Sequence, residues 1–117
     1  MSESGHSPAE SAELRRLRQK IDRLDRRIVE LLNERAELAK DVGHEKTRLG
    51  RRAIRDRDRE REVLLRVSMA NDGPMPQADL LSIYRRLIAS TRTLEARERD
   101  RARRLGGDSP TEDEPSA

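Results

Sequence analysis

The sequence predicts an all-α protein of three helices, one long and two shorter, forming an intertwined helical homodimer. Three observations carry this prediction. Apolar residues recur at steps of three and four from Leu14 to Val42. Apart from Gly43, glycine and proline are absent from the long stretch between Ala9 and Arg48. Two breaks, at Gly50 and at Asn71-Asp72-Gly73-Pro74, divide the rest of the chain into two further periodic segments.

The first helix is expected over about residues 13–48. Ser11 or Ser7 can cap it, with Pro8 near its start. Its stripe is Leu14, Leu17, Ile21, Leu24, Ile28, Leu31, Leu38 and Val42, a heptad seam of the kind that pairs helices. The seam skips one position, and that position is Arg35. An arginine within an apolar stripe needs an anion, since a bare buried charge costs several kcal/mol. A protein carboxylate, Asp56 or Glu60, and a ligand carboxylate are equally open at this point. The helix is roughly 50 Å long at ~1.5 Å per residue, whereas a globule of this size has a radius of gyration near ~13 Å. One chain cannot cover such a helix along its length. A second copy lying antiparallel is the simplest cover.

Gly50 ends or bends the first helix, and Arg51, Arg52 and Ala53 make a short basic loop. The second helix is expected from about Asp56 to Ala70, with Val63, Leu64 and Val67 apolar. The third runs from about Pro76 or Gln77 to about Arg103. Its stripe is Leu80, Tyr84, Leu87, Thr91 and Leu94, widened by Leu81, Ile83 and Ile88. Beyond Leu94 the residues are nearly all charged, so a frayed or exposed end is expected from Glu95 onward. Residues 1–10 and 105–117 read as disordered tails flanking a helical domain over 11–104.

Composition narrows the chemistry. The 117 residues contain no Cys, Trp or Phe, and Tyr84 is the single aromatic. Disulfides and thiolate metal sites are excluded, and His6 and His44 lack ligand-like spacing, so no metal is expected. Net charge is +3, and Asp108, Glu112, Asp113 and Glu114 lie in the tail, so the body is more positive still. A small anion suits this body better than nucleic acid, because acids are interspersed and stacking aromatics are missing. No long apolar run or secretory signal is present, so no membrane partner is expected and the cytoplasm is the default.

Several polar residues fall together once the helices are drawn. Arg35 and Lys46, eleven residues apart, share a face about 16 Å apart along the axis. Arg18 lies ~25 Å from Arg35 and about 100° around the helix, so one chain cannot close both on one small ligand. An antiparallel partner's Arg18 can come alongside Arg35. Asp56, Arg59 and Glu60 share a face of the second helix, as do Thr91 and Glu95 of the third. Taken singly, each has an ordinary reading: Lys46 as a cation at a helix end, Arg18 as one of a solvated set, Thr91 as a back-bonded hydroxyl, Glu95 as a surface acid. Together they suit a compact hydroxylated dianion.

The segments LRRLRQKIDRLD (14–25), IVELLNER (28–35), VGHEK (42–46), RDRDRER (55–61) and IYRRLIASTR (83–92) resemble the all-helical chorismate mutases. The resemblance covers about residues 14–96. It implies a Claisen rearrangement of chorismate to prephenate, in phenylalanine and tyrosine biosynthesis, by a homodimer without a cofactor. It further implies that Arg35 and the partner's Arg18 clamp two carboxylates. Lys46 would contact a carboxylate and the ether oxygen. Asp56, Arg59 and Glu60 would line the pocket, with Glu60 accepting from the ring hydroxyl and Thr91 near a carboxylate. Glu95 would stand opposite Lys46, where many members have Gln.

The chain departs from the family pattern in two places. One additional residue lies between Lys46 and Asp56, so the Gly50–Ala53 loop is expected to sit differently. An ionised Glu95 would repel charge developing on the ether oxygen, so activity is expected to fall as Glu95 loses its proton. Same-fold relatives act on isochorismate, eliminating pyruvate, or on 4-amino-4-deoxychorismate, and a helical scaffold or regulatory subunit without activity is the remaining alternative.

Overall fold

The computed structural model describes residues 10–51 and 55–106. Those residues form three helices: α1 (Ala12–Arg48), α2 (Arg57–Ala70) and α3 (Gln77–Gly106). None of these helices is long and apolar enough to cross a membrane. Residues 1–9 of the tail expected over 1–10, the loop residues Arg52 and Ala53, and residues 107–117 of the tail expected over 105–117 lie outside the described residues, whereas Leu105 and Gly106 belong to α3.

Each helix end has a local cause. At the start of α1, the Leu14 amide donates to Ser11 Oγ at 3.0 Å, which satisfies one of the otherwise unpaired first-turn amides. At its end, the amide of Gly50 donates to the Thr47 carbonyl (3.0 Å) and that of Arg51 to the Lys46 carbonyl (2.9 Å). This pair of bonds is a Schellman cap. It requires a left-handed residue, and Gly50 has φ +76°. Asp56 caps α2 rather than beginning it, its carboxylate accepting from the Arg59 amide at 3.0 Å. Asn71 holds the α2–α3 turn: its side-chain amide donates to the Met75 carbonyl (3.0 Å) and to Gln77 Oε1 (2.7 Å), while its Oδ1 accepts from the Gly73 amide (2.9 Å).

The chain divides into two compact units, Met1–Arg35 and Ala36–Ala117. In the described part of the first unit, α1 is a single helix whose seam is uncovered: Leu17, Ile21, Leu24, Ile28 and Leu31 are all exposed, Leu24 by 60%. In the second unit, α2 packs against α3. Here the expected seam residues Leu38 and Val42 are also exposed, Leu38 by 64%. The face of α1 that is buried or half-buried instead carries Ala36, Ala39, Gly43 and Lys46, again at steps of three and four.

Gly43 is a point of close approach to α3. A Cβ built there would lie 2.8 Å from Glu95 Cα and 3.0 Å from the Glu95 carbonyl oxygen. Two helix backbones come this near only where one side lacks a side chain. The glycine that weakens the helix by propensity therefore permits its packing.

The distal end of α3 departs from expectation. The helix continues to Gly106, and Glu95 and Glu98 are buried, at 5% and 7% exposure. The reason is register. Tyr84, Ile88, Thr91, Glu95, Glu98 and Ala102 follow steps of three and four along one face, and all are buried or half-buried. The apolar stripe passes into acids without leaving the packed side.

Candidate active site

The burial of Glu95 is made tolerable by Lys46. The ammonium donates to Glu95 Oε1 at 2.8 Å, and the two side chains are 11% and 7% exposed. A buried charge without a partner would be strongly unfavourable, whereas a close, hydrogen-bonded pair is sustainable. The pair depends on local structure at both ends. The Schellman cap fixes the last turn of α1, which carries Lys46, and Gly43 brings that turn against the Glu95 backbone.

One turn further along α3 lies a second acid with basic neighbours. Glu98 Oε2 accepts from Arg101 Nη2 at 2.9 Å, and His44 Nδ1 lies 4.0 Å from the same oxygen. The Arg101 hydrogen bond holds the Glu98 carboxyl below the usual carboxylate range, burial opposes this, and the charges of Arg101, Lys40 and His44 reinforce it. Sequence reading missed Glu98. The continuing three-four register was the signal that could have found it.

Between α2 and α3 lies a cavity of about 330 Å³. Among the described residues of its wall, Glu60 is the one acid, beside five arginines, with Leu64 and Ile88 as the apolar part. Glu60 accepts from Arg92 Nη1 on Oε2 at 2.6 Å and from Arg55 Nε on Oε1 at 3.2 Å. Charge-assisted bonds of this kind are the strong ones. Arg92 and Arg55 are further residues that sequence reading did not single out. Arg92 follows Thr91 directly and lies four residues after Ile88, so its place beside the packed face was readable from helical spacing.

The other residues expected at a site are more dispersed. Thr91 is half-buried and donates its hydroxyl to the Leu87 carbonyl at 3.1 Å. Asp56 is engaged as the α2 cap. Arg59 is exposed and donates to Glu62 along its own helix at 2.8 Å. Asp56, Arg59 and Glu60 are therefore not presented as one surface: the first holds the helix end, the second lies along the exposed side, and only the third meets α3. In the first unit, Arg18 is exposed and donates to Glu10 at 3.0 Å, and Arg35 is half-buried.

The arrangement offers an ammonium held by a carboxylate in a largely dry setting, and a separate carboxylate held between two guanidiniums in a cationic cavity. Fixed charges and hydrogen-bond donors of this kind are the groups that small anions require.

Comparison with known proteins agrees. Residues 17–96 match the family model described as chorismate mutase type II. A bifunctional chorismate mutase/prephenate dehydratase of Aquifex aeolicus is 41% identical over 87 residues, which is 71% of this chain and 24% of that protein. The protein of the same description from Pseudomonas aeruginosa is 34% identical over 91 residues, 74% of this chain and 25% of the relative. In Escherichia coli K12, a protein so described is 51% identical over 51 residues, 44% of this chain and 13% of its own. The chain thus spans about a quarter of the length of the first two relatives. With a family match across most of its helical part, the chain belongs to the type II chorismate mutase family.

Proposed function

We propose that this chain catalyses the rearrangement of chorismate to prephenate, a step of aromatic amino-acid biosynthesis. The observation that carries the reading is the buried Lys46–Glu95 pair, 2.8 Å long, within a chain of this family. The relatives' descriptions join a mutase to a dehydratase, and the matching family model is that of the mutase, so the mutase activity is the one extended to this chain.

The reaction breaks one C–O bond and forms one C–C bond within a single molecule. It transfers no proton, so the site needs no nucleophile and no general base. Its needs are two: to hold the substrate folded, and to stabilise negative charge on the ether oxygen as the C–O bond breaks. Lys46 meets the second as a preorganised donor, worth most where charge exists chiefly in the transition state. Arginines meet the first, since a guanidinium matches a carboxylate in two parallel hydrogen bonds. In this reading Arg35 and the partner's Arg18 hold the carboxylates, Glu60 faces the ring substituent, and Thr91, Asp56 and Arg59 complete the surroundings. Glu95 orients Lys46 and faces the ether oxygen with it.

The homodimer is part of the proposal. It is supported by the exposed seam from Leu17 to Val42, which a second α1 would cover, and by the separation of Arg18 from Arg35 along one helix. A cytoplasmic setting and a domain over residues 11–104 belong to the same reading.

The test is direct. Purified protein is mixed with chorismate, and substrate loss and prephenate formation are followed. Turnover in the wild type that is abolished in Arg35→Ala, with helicity intact, is the expected result. No turnover in the wild type would return the chain to a scaffold or regulatory role.

A further inference from the structure

Glu60 is both largely buried and held by guanidiniums on each of its oxygens. Arg92 donates from α3 at 2.6 Å, and Arg55, the residue before the α2 cap, donates at 3.2 Å. The Glu60 side chain is 16% exposed, so these bonds are only partly screened by water. Among the described residues, every other charged group in the wall of its cavity is an arginine. Glu60 and its two partners together carry a formal charge of +1.

We infer that Arg92 is a specificity-determining residue which, by occupying Glu60, selects a dicarboxylate whose ring carries a neutral hydroxyl over the analogue with an ammonium at that position. The inference rests on the proposed function, in which Glu60 faces the ring substituent. Its physical basis is a match of hydrogen-bonding capacity. A hydroxyl both donates and accepts, so it can donate to a remaining lone pair of the Glu60 carboxylate and accept from the Arg92 guanidinium. An ammonium has donors and no acceptor. It could use Glu60 alone, would leave the Arg92 donor facing a like charge, and would enter a wall whose charge is already positive. A bare Glu60 would have favoured the ammonium. The position of Arg92 reverses that preference. Carboxylates elsewhere on the ligand are favoured by the same positive wall.

The experiment compares kcat/KM for chorismate and for 4-amino-4-deoxychorismate in the wild type, Arg92→Gln, Arg92→Lys and Arg55→Gln. The ratio of the two values is internal to each preparation, so loss of folded protein cancels from it. The wild type is expected to prefer chorismate by ~10-fold or more, as a polar site built for one hydrogen-bonding group does. Arg92→Gln is expected to lower that ratio by about 10-fold, and Arg92→Lys, which keeps a cation, to retain most of it. Arg55→Gln lowers the ratio in the same direction and serves if Arg92→Gln does not fold. An unchanged ratio in Arg92→Gln, or a wild type that prefers the amine, overturns the inference while leaving mutase activity standing. A wild type inactive on both substrates overturns the proposed function and this inference with it.

Discussion

Lys46 and Glu95 depend on each other in two ways, which single substitutions separate. Replacing Lys46 with Ala removes the donor and leaves a carboxylate buried with that bond broken. Turnover is expected to fall by at least ~100-fold, as for loss of a preorganised transition-state donor, and thermal denaturation should show a parallel loss of stability. Glu95→Gln keeps shape and hydrogen bonding but removes the charge. If Glu95 faces the ether oxygen, turnover by Glu95→Gln is expected to be at least that of the wild type, because a neutral amide does not repel the developing charge, and a large loss of kcat would remove Glu95 from that place. Glu98 carries a pH dependence of its own. Its folded-state titration is pushed down, chiefly by the Arg101 hydrogen bond. The carboxylate therefore contributes stability above its unfolded-state value, and that contribution is lost as pH falls through the lowered folded value. Thermal melts in the acid range should show a shallower decline for Glu98→Gln than for the wild type.

At the level of elements, Gly43 sets the approach of α1 to α3. By propensity alone Gly43→Ala should stabilise the helix by about 1 kcal/mol. The added Cβ would meet Glu95 backbone atoms at 2.8 and 3.0 Å, and backbone cannot rotate aside as a side-chain tip can. Urea titration is expected to show net destabilisation of roughly 1–3 kcal/mol, the usual effect of overpacking. Because the same approach sets the Lys46–Glu95 distance, kcat should fall more than KM rises. The α2 cap offers a cleaner division of roles. Asp56→Asn retains an acceptor for the Arg59 amide, whereas Asp56→Ala loses it at about 1 kcal/mol. Comparing the melting temperatures of these two variants measures the cap, and comparing their KM values measures any part Asp56 has in binding.

For the whole molecule, the exposed seam is the dominant fact. Leu17, Ile21, Leu24, Ile28, Leu31, Leu38 and Val42 are each between 44% and 64% exposed. Covering the exposed part of each contributes on the order of 1 kcal/mol, and the residues share one helix face, interrupted at Arg35. Sedimentation analysis is expected to give a dimer. If each site borrows Arg18 from the partner, Arg18→Ala and Arg35→Ala proteins are inactive alone but complement when mixed and reassociated. A hybrid then has one intact site and one doubly impaired site, so a random mixture regains about a quarter of wild-type activity. Failure to complement would show that both arginines serve the site of their own chain, or none.

Helix identity and boundaries were legible in the sequence because they depend on local signals. Three-four periodicity, the Ser11 cap, Gly50 and the Asn71 turn act within a few residues, and the chain carries them in order; the cap at Asp56 was read as the first residue of its helix. The unusual polar residues, Lys46, Glu60 and Glu95 among them, could be singled out for the same reason. Their partners were not legible from local pattern. Lys46 finds Glu95 across 49 positions, a juxtaposition that only the family resemblance had implied, and Glu60 finds Arg92 across 32, which the tertiary structure alone decided. The buried face of α1 near its end is Ala39 and Gly43 rather than the larger Leu38 and Val42, because close helix packing selects small residues while the larger ones keep the seam. For the same reason α3 buries two acids where composition alone pointed to solvent: burial follows register and the approach of α1, and the nearby cations make the charge tolerable.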